Sequence, residues 1–116
     1  TQKELFLGNL DAIRDWGYAK EYVEGMWLML QQDSPDDYVA ATGVGATIQD
    51  FCKVAFEHAN LNWENYVRFD EQYLRPTEVD ALIGDPTKAR KVLGWEAKTK
   101  WSELAKLMVE ADIDYP

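Results

Sequence analysis

The stretch LFLGNLDAIRDWGYAKEYVEGMWLML, residues 5–30, carries the change from strand to helix that sets the fold class. Residues 5–8 form a short apolar run, which is typical of a buried strand. The polar segment 9–17 predicts a turn that holds Arg14. Over 18–31 the apolar residues recur at helical spacing, which predicts a helix with one buried face. That face comprises Tyr22, Val23, Met26, Trp27 and Leu30. Leu28 and Met29 lie off it, so burial on two sides or contact with a partner subunit is the alternative.

Predicted strands and helices continue to follow one another to the end of the chain. Residues 38–42 predict a second strand and 66–69 a third. A helix is expected after Thr47, with Thr47 and Asp50 forming a capping box. Pro86 opens a third helix that Gly94 ends, and a last helix covers 102–112. The sequence therefore predicts an α/β chain with short strands and about four helices.

Composition limits the function. The chain has 116 residues, of which 47% are hydrophobic, so we expect a packed fold. Its net charge of −9 argues against nucleic acid and anionic membranes as partners, because both require a basic surface. Any anionic ligand must therefore be held by a few local cations.

The single cysteine, Cys52, excludes an intrachain disulfide and fits a reducing compartment. No apolar run approaches the roughly 18 residues of a membrane span. We therefore expect a cytoplasmic protein without a membrane partner. The chain starts at Thr1, without Met and close to an apolar run, which we interpret as a fragment of a longer protein.

Two features that could carry chemistry have simpler explanations. Gly43 and Gly45 follow a predicted strand, but a dinucleotide-binding loop would need a third glycine where Ile48 stands. A tight turn is the better interpretation. His58 is the only histidine, so it lacks the partners of a metal site or a catalytic triad. We therefore predict no metal ligand and no catalytic residue in this chain.

Arg75 and Glu78 lie in an unusual setting. Arg75 precedes Pro76, which favours an extended backbone, and in such a segment its side chain would lie roughly 10 Å from that of Glu78. A guanidinium can bind a phosphate with two parallel hydrogen bonds, and a carboxylate can accept hydrogen bonds from a ribose diol. From spacing alone, surface salt bridges are the better interpretation of Arg14, Arg75 and Glu78, and phosphate binding is the alternative.

Two long stretches resemble a known family. Residues 5–30 and YLRPTEVDALIGDPTKARKVLGW, residues 73–95, are similar to the C-terminal part of GDP-mannose 4,6-dehydratases, in the extended short-chain dehydrogenase/reductase superfamily. DDYVAATG at 36–43 and ELAKLMVEADI at 103–113 extend the resemblance. It implies a C-terminal fragment of an extended Rossmann-type dehydrogenase/reductase. Within it, 1–45 would border the Rossmann layer, and 46–116 would form a nucleotide-sugar-binding domain.

The resemblance also implies an activity for the parent protein. Such enzymes are NADP-dependent lyases that convert GDP-mannose to GDP-4-keto-6-deoxymannose, a precursor of GDP-fucose. NADP would be bound by the missing N-terminal domain. The catalytic Tyr-x-x-x-Lys motif would lie in that domain too, because no tyrosine in this chain has a lysine four residues later. The resemblance implies that this chain alone is inactive and that the full-length enzyme is a homo-oligomer.

The site residues follow from the same resemblance. Arg14 and Arg75 match contacts to the nucleotide diphosphate, and Glu78 matches the residue that reads the ribose hydroxyls. Gly8 and Asn9 match the strand-end segment beside the base. Ile13 departs from the pattern, since the family is expected to carry lysine there.

Two other functions stay open on the sequence. The motifs RDW and LGW are shared by many nucleotide-sugar epimerases and dehydratases, so the chain could be the same portion of a sister enzyme. A stand-alone, non-catalytic nucleotide-binding or interaction module is the third possibility.

Overall fold

A computed structural model describes residues 2–115, which form four α-helices and five short strands. The helices are α1 Ala19–Leu30, α2 Ile48–His58, α3 Thr87–Leu93 and α4 Trp101–Asp114. The strands are β1 Leu5–Leu7, β2 Ile13–Arg14, β3 Ala46–Thr47, β4 Val67–Phe69 and β5 Ala81–Leu82. The predicted α/β class, with short strands and about four helices, is therefore confirmed.

The strands form two small sheets. β1 pairs in parallel with β4, and β2 lies between antiparallel β3 and parallel β5. Arg14 is consequently the last residue of a strand and pairs with Leu82, so the prediction that it lies in a turn was wrong. A strand of two residues is too short to show an alternating pattern in the sequence.

The predicted strand at 38–42 was also wrong. No strand is formed there within the described part of the chain, and the backbone N–H of Thr42 donates instead to Asp15 Oδ1 at 3.0 Å. Tyr38 and Ala40 pack against the buried cluster of Ala89, Trp95 and Ala97. The apolar run thus reflects packing on one side, without a neighbouring strand to complete a ladder.

Helix α1 is apolar on two opposite faces, and only one of them is covered. Val23, Met26, Trp27 and Leu30, predicted to be buried, are 59–82% exposed. The packed face contains the buried Gly25, where an added Cβ would lie 3.0 Å from Trp95 Nε1. The prediction that these four residues are buried within the chain was wrong, because periodicity identifies an apolar face but cannot show what covers it.

Trp95 is the centre of the core that joins α1 to α3. It is 4% exposed, its indole N–H donates to the carbonyl oxygen of Glu21 at 2.8 Å, and its ring meets the edge of Tyr22. The carboxylate of Glu21 accepts a hydrogen bond from the backbone N–H of Thr99 at 3.0 Å. This network fixes the segment that follows α3 against α1.

A second packed region lies between α2 and α4. Cys52, Leu104 and Ala105 are buried there, and burial raises the pKa of the Cys52 thiol above its ordinary value. Cys52 is therefore a core residue. His58 Nε2 lies 2.9 Å from Glu110 Oε1 and links the same two helices. None of the helices in residues 2–115 has the length and apolarity needed to cross a membrane.

The helix ends follow local sequence signals closely. Thr47 and Asp50 form the predicted capping box, with Asp50 N–H donating to Thr47 Oγ1 at 3.0 Å and Thr47 N–H donating to Asp50 Oδ2 at 3.1 Å. Helix α3 ends at Gly94, whose φ of +67° lies in the left-handed region. It begins at Thr87, one residue later than predicted, because Pro86 takes the capping position.

Candidate functional site

A cavity of about 280 Å³ lies where the end of β1, the end of β2 and the segment after Tyr73 meet. All five residues predicted as binding residues line it, although they come from three separate parts of the sequence. They are Gly8, Asn9, Arg14, Arg75 and Glu78. The structure thus brings the predicted set together, while the ligand that each residue contacts remains a prediction.

Arg14 is held firmly at the edge of this cavity. Its Nη1 donates to the carbonyl oxygens of Ile13 at 2.7 Å and Val79 at 2.8 Å, and its Nη2 lies 2.6 Å from Glu78 Oε1. The Arg14 and Glu78 side chains are 23% and 22% exposed. A guanidinium has five N–H donors, so two remain for a ligand. Arg14 therefore forms a salt bridge in the cavity wall, with a partner 64 residues away that the sequence did not indicate.

Arg75 differs from Arg14 because its donors are open. It is exposed, and it makes no hydrogen bond or ion pair with any residue between 2 and 115. Among the lining residues the charged groups are Arg14, Arg75 and Glu78, so the cavity wall is positive by one charge while the chain carries −9. This local excess can attract an anion over distances shorter than a screening length.

Gly8 allows the end of β1 to approach the segment that carries Arg75. A Cβ at position 8 would lie 2.6 Å from the carbonyl oxygen of Tyr73, closer than van der Waals contact permits. Asn9 follows in a tight turn, where its Oδ1 accepts the backbone N–H of Asp11 at 2.9 Å. Gly8 therefore shapes the cavity by the absence of a side chain.

Asp15 fixes the backbone next to Arg14, and sequence reasoning did not identify this role. Its carboxylate accepts hydrogen bonds from Thr42 Oγ1 at 2.5 Å, Gly43 N–H at 3.0 Å and Gly84 N–H at 3.2 Å, besides the Thr42 N–H. Burial alone would raise the pKa of Asp15, but these hydrogen bonds outweigh it and lower the pKa below its ordinary value. Three distant segments are thereby joined at the end of β2.

The Ile13 side chain is not part of the cavity lining. Its Cγ2 lies beside Gly45, where an added Cβ would come within 2.7 Å of it, next to the side chain of Ile83. The departure from the expected lysine therefore falls in an apolar contact behind β2. It does not alter the charge of the cavity wall itself.

Four further lining residues were not predicted, namely Phe6, Leu7, Ile48 and Tyr73. Tyr73 is 55% exposed and stands two residues before Arg75, so its position next to the RPTE motif could have identified it. Phe6, Leu7 and Ile48 are apolar residues of a predicted strand or helix, so the sequence indicated core positions for them. In the part of the chain that the structure describes, no three His, Cys, Asp or Glu side chains are grouped closely enough to hold a metal ion.

The chain is similar to known proteins over almost its whole length. A family model described as GDP-mannose 4,6 dehydratase matches residues 1–108. GDP-mannose 4,6 dehydratase 2 of Arabidopsis thaliana is 54% identical over 113 residues, which cover 97% of this chain and 30% of the plant protein. The family model and the plant relative therefore indicate the same family.

Solved structures show the same fold. UDP-glucose 4-epimerase of Bifidobacterium longum, in complex with NAD+ and UDP, superposes with a TM-score of 0.83 at 20% identity, covering 98% of this chain and 36% of the epimerase. UDP-glucose 4-epimerase of Thermotoga maritima, with UDP-glucose, gives a TM-score of 0.80 at 28% identity, covering 96% and 35%.

These matches decide the fold and the family. The resemblance to extended Rossmann-type enzymes is confirmed, and the chain spans about a third of the length of the relatives it matches. The epimerase structures support the fold, whereas the family match and the plant relative point to one group of dehydratases. The chain belongs to the GDP-mannose 4,6-dehydratase family.

Proposed function

We propose that this chain supplies the GDP-mannose-binding portion of a GDP-mannose 4,6-dehydratase. The observation that carries the proposal is the cavity in which Gly8, Asn9, Arg14, Arg75 and Glu78 meet. A pair of arginines with a neighbouring carboxylate suits a nucleoside diphosphate, which offers phosphates and a ribose diol. Family membership favours GDP-mannose as the nucleotide sugar.

The binding roles follow from what each side chain has left to offer. Arg75 has no hydrogen-bond partner within residues 2–115, so all its donors can serve the diphosphate. Arg14 contributes the two N–H groups that Ile13, Val79 and Glu78 do not use. Glu78 retains Oε2 for the ribose hydroxyls. Gly8 and Asn9 would lie beside the base.

The chemistry itself is assigned to the rest of the protein. In the proposed reaction a hydride moves from sugar C4 to NADP, water is lost across C5–C6, and the hydride returns to C6, which yields GDP-4-keto-6-deoxymannose. The sequence in hand contains no Tyr-x-x-x-Lys and no glycine-rich dinucleotide loop. We therefore place NADP and the acid–base residues outside it, and expect this chain alone to be inactive. The whole enzyme would be a cytoplasmic homo-oligomer.

The division of the chain is part of the same proposal. Residues 1–45 would border the Rossmann layer of the complete enzyme, and 46–116 would form the nucleotide-sugar-binding domain. Two observations support the placement of residues 1–45 next to the rest of the enzyme. One is the exposed apolar face of α1, formed by Val23, Met26, Trp27 and Leu30. The other is the segment 38–42, which has apolar residues but no strand neighbour within residues 2–115.

Calorimetric titration with GDP tests the proposal. The complete protein should bind GDP, and GDP-mannose should compete with it and be converted to the 4-keto product. The isolated chain should show no turnover. A complete protein that neither binds GDP nor consumes GDP-mannose would contradict the assignment. In that event, a folded chain without nucleotide affinity would favour the interaction module.

A further inference from the structure

Within residues 2–115, Arg14 makes all the hydrogen bonds to the segment 75–79, which carries two of the proposed binding residues. Among residues 2–115, the hydrogen bonds made by 75–79 come from Arg14 alone, to Glu78 Oε1 at 2.6 Å and to the Val79 carbonyl oxygen at 2.8 Å. On either side, Leu74 N–H donates to Glu71 and Ile13 N–H donates to the Asp80 carbonyl. Between those points the backbone has no other hydrogen bond to the described part of the chain.

Exposure makes this anchor more important. Within the segment, Arg75, Pro76 and Thr77 are exposed, and the neighbouring Leu74 and Val79 are 45% and 52% exposed. Apolar packing therefore holds the segment weakly, and the guanidinium must fix it. Arg14 can do so because Ile13 and Val79 accept both hydrogens of Nη1, which orients the planar group towards Glu78.

We propose that Arg14 is a positioning residue for Glu78, in addition to any contact that its remaining N–H groups make with phosphate. This inference rests on the proposed nucleotide-binding function and deepens it. Recognition of the ribose diol by Glu78 would depend on Arg14, although Arg14 itself would not touch the diol. Phosphate and ribose recognition would thus be coupled through one ion pair.

The test compares GDP with 2′,3′-dideoxy-GDP, which lacks the ribose diol, by calorimetry on the complete protein. The measured quantity is the ratio of the two dissociation constants, dideoxy-GDP over GDP. For the unmodified protein we expect a ratio of roughly 10 to 100, which is typical of hydrogen bonds to a charged group. Glu78→Ala should bring the ratio close to one, because the acceptor is gone.

The arginine variants separate the two roles. Arg14→Ala should also bring the ratio close to one, whereas Arg75→Ala should weaken both ligands and keep the ratio. Arg14→Lys serves as a milder second variant, because an ammonium retains the charge but cannot hold the three acceptors in one plane. Its ratio should fall between those of Arg14→Ala and the unmodified protein. Arg90→Ala, an exposed arginine on α3, is the matched control and should change nothing.

Each result has a distinct meaning. If both Arg14 variants weaken both ligands equally and keep the full ratio, the positioning role is overturned and Arg14 acts on phosphate only. A ratio of one in the unmodified protein removes the ribose role of Glu78 and the positioning role with it. If neither ligand binds the complete protein, the proposed function itself fails. Circular dichroism of each variant verifies that the fold is retained.

Discussion

The backbone at Gly8 lies so close to the backbone of Tyr73 that only glycine fits at position 8. A Cβ built on Gly8 would lie 2.6 Å from the carbonyl oxygen of Tyr73 and 2.8 Å from its carbonyl carbon. Both are backbone atoms, so no side-chain rotation can relieve the overlap. The path of the chain towards Arg75 and Glu78 therefore depends on the missing side chain of Gly8.

The first prediction is that Gly8→Ala displaces the segment beginning at Tyr73 and weakens GDP binding to the complete protein. Forced overpacking of this kind costs about 1–3 kcal/mol, and we expect much of that cost to appear in the dissociation constant measured by calorimetry.

Gly94→Ala is the control, because Gly94 has a φ of +67° but no atom within 4 Å of an added Cβ. It should lower stability by about 1 kcal/mol through backbone strain and leave GDP affinity unchanged. Equal GDP affinity in both variants would contradict the steric argument.

The second prediction concerns Arg75. Arg75→Ala should weaken GDP-mannose binding by roughly 1.5–3 kcal/mol if the side chain makes a charged hydrogen bond to the diphosphate. The thermal midpoint should hardly change, because Arg75 has no partner within residues 2–115. Arg90→Ala removes another exposed arginine, outside the cavity lining, and serves as the control. A dissociation constant that stays the same for Arg75→Ala would remove Arg75 from the site.

Local signals predicted the helices well and the strands poorly. The Thr47–Asp50 capping box and the left-handed Gly94 act within a few residues, so the sequence shows them directly. β2, β3 and β5 contain two residues each and exist only because distant segments pair with them. The covered face of α1 could not be predicted, since burial at Gly25 depends on Trp95, 70 positions further along the chain.

The candidate site likewise contains some features that the sequence showed and others that it did not. Arg75 and Glu78 stand three residues apart, so their neighbourhood was visible in the sequence. The ion pair between Arg14 and Glu78 was not, because 64 residues separate them and only the pairing of β2 with β5 brings them together. The Asp15 carboxylate was missed for the same reason, since its donors lie at Thr42, Gly43 and Gly84.

The third prediction is a pH dependence carried by Asp15. Hydrogen bonds from Thr42, Gly43 and Gly84 outweigh burial and lower the pKa of its carboxyl below the ordinary value of 3.8. A lowered pKa in the folded state means that the stabilisation is complete at neutral pH and is lost as the pH falls below about 3.8. Asp15→Asn should therefore be less stable by roughly 1.5–3 kcal/mol at pH 7, and the difference should shrink in acid.

Urea unfolding at pH 7 and near pH 3 measures this difference. Asp112→Asn is the matched control, because Asp112 is exposed near the end of α4 and makes no side-chain hydrogen bond within the described residues. It should change stability little at either pH. A gap between the unmodified protein and Asp15→Asn that stays the same at both pH values would show that the Asp15 charge is not the source.

The fourth prediction follows from the uncovered face of α1. Val23, Met26, Trp27 and Leu30 lie on one side of the helix and are 59–82% exposed, so the isolated 116-residue chain presents a continuous apolar stripe. Covering a large apolar side chain is favourable by about 1.5–3 kcal/mol, which is enough for several such residues to drive association. Light scattering should show the isolated chain associating as its concentration rises. Trp27→Glu should keep it monomeric, whereas Val92→Glu, the same kind of change at an exposed position on α3, should not.

In the complete protein Trp27→Glu should lower the thermal midpoint, because there the stripe would be covered by the rest of the enzyme. An isolated chain that stays monomeric at high concentration, with Trp27→Glu harmless in the complete protein, would mean that nothing is packed on this face.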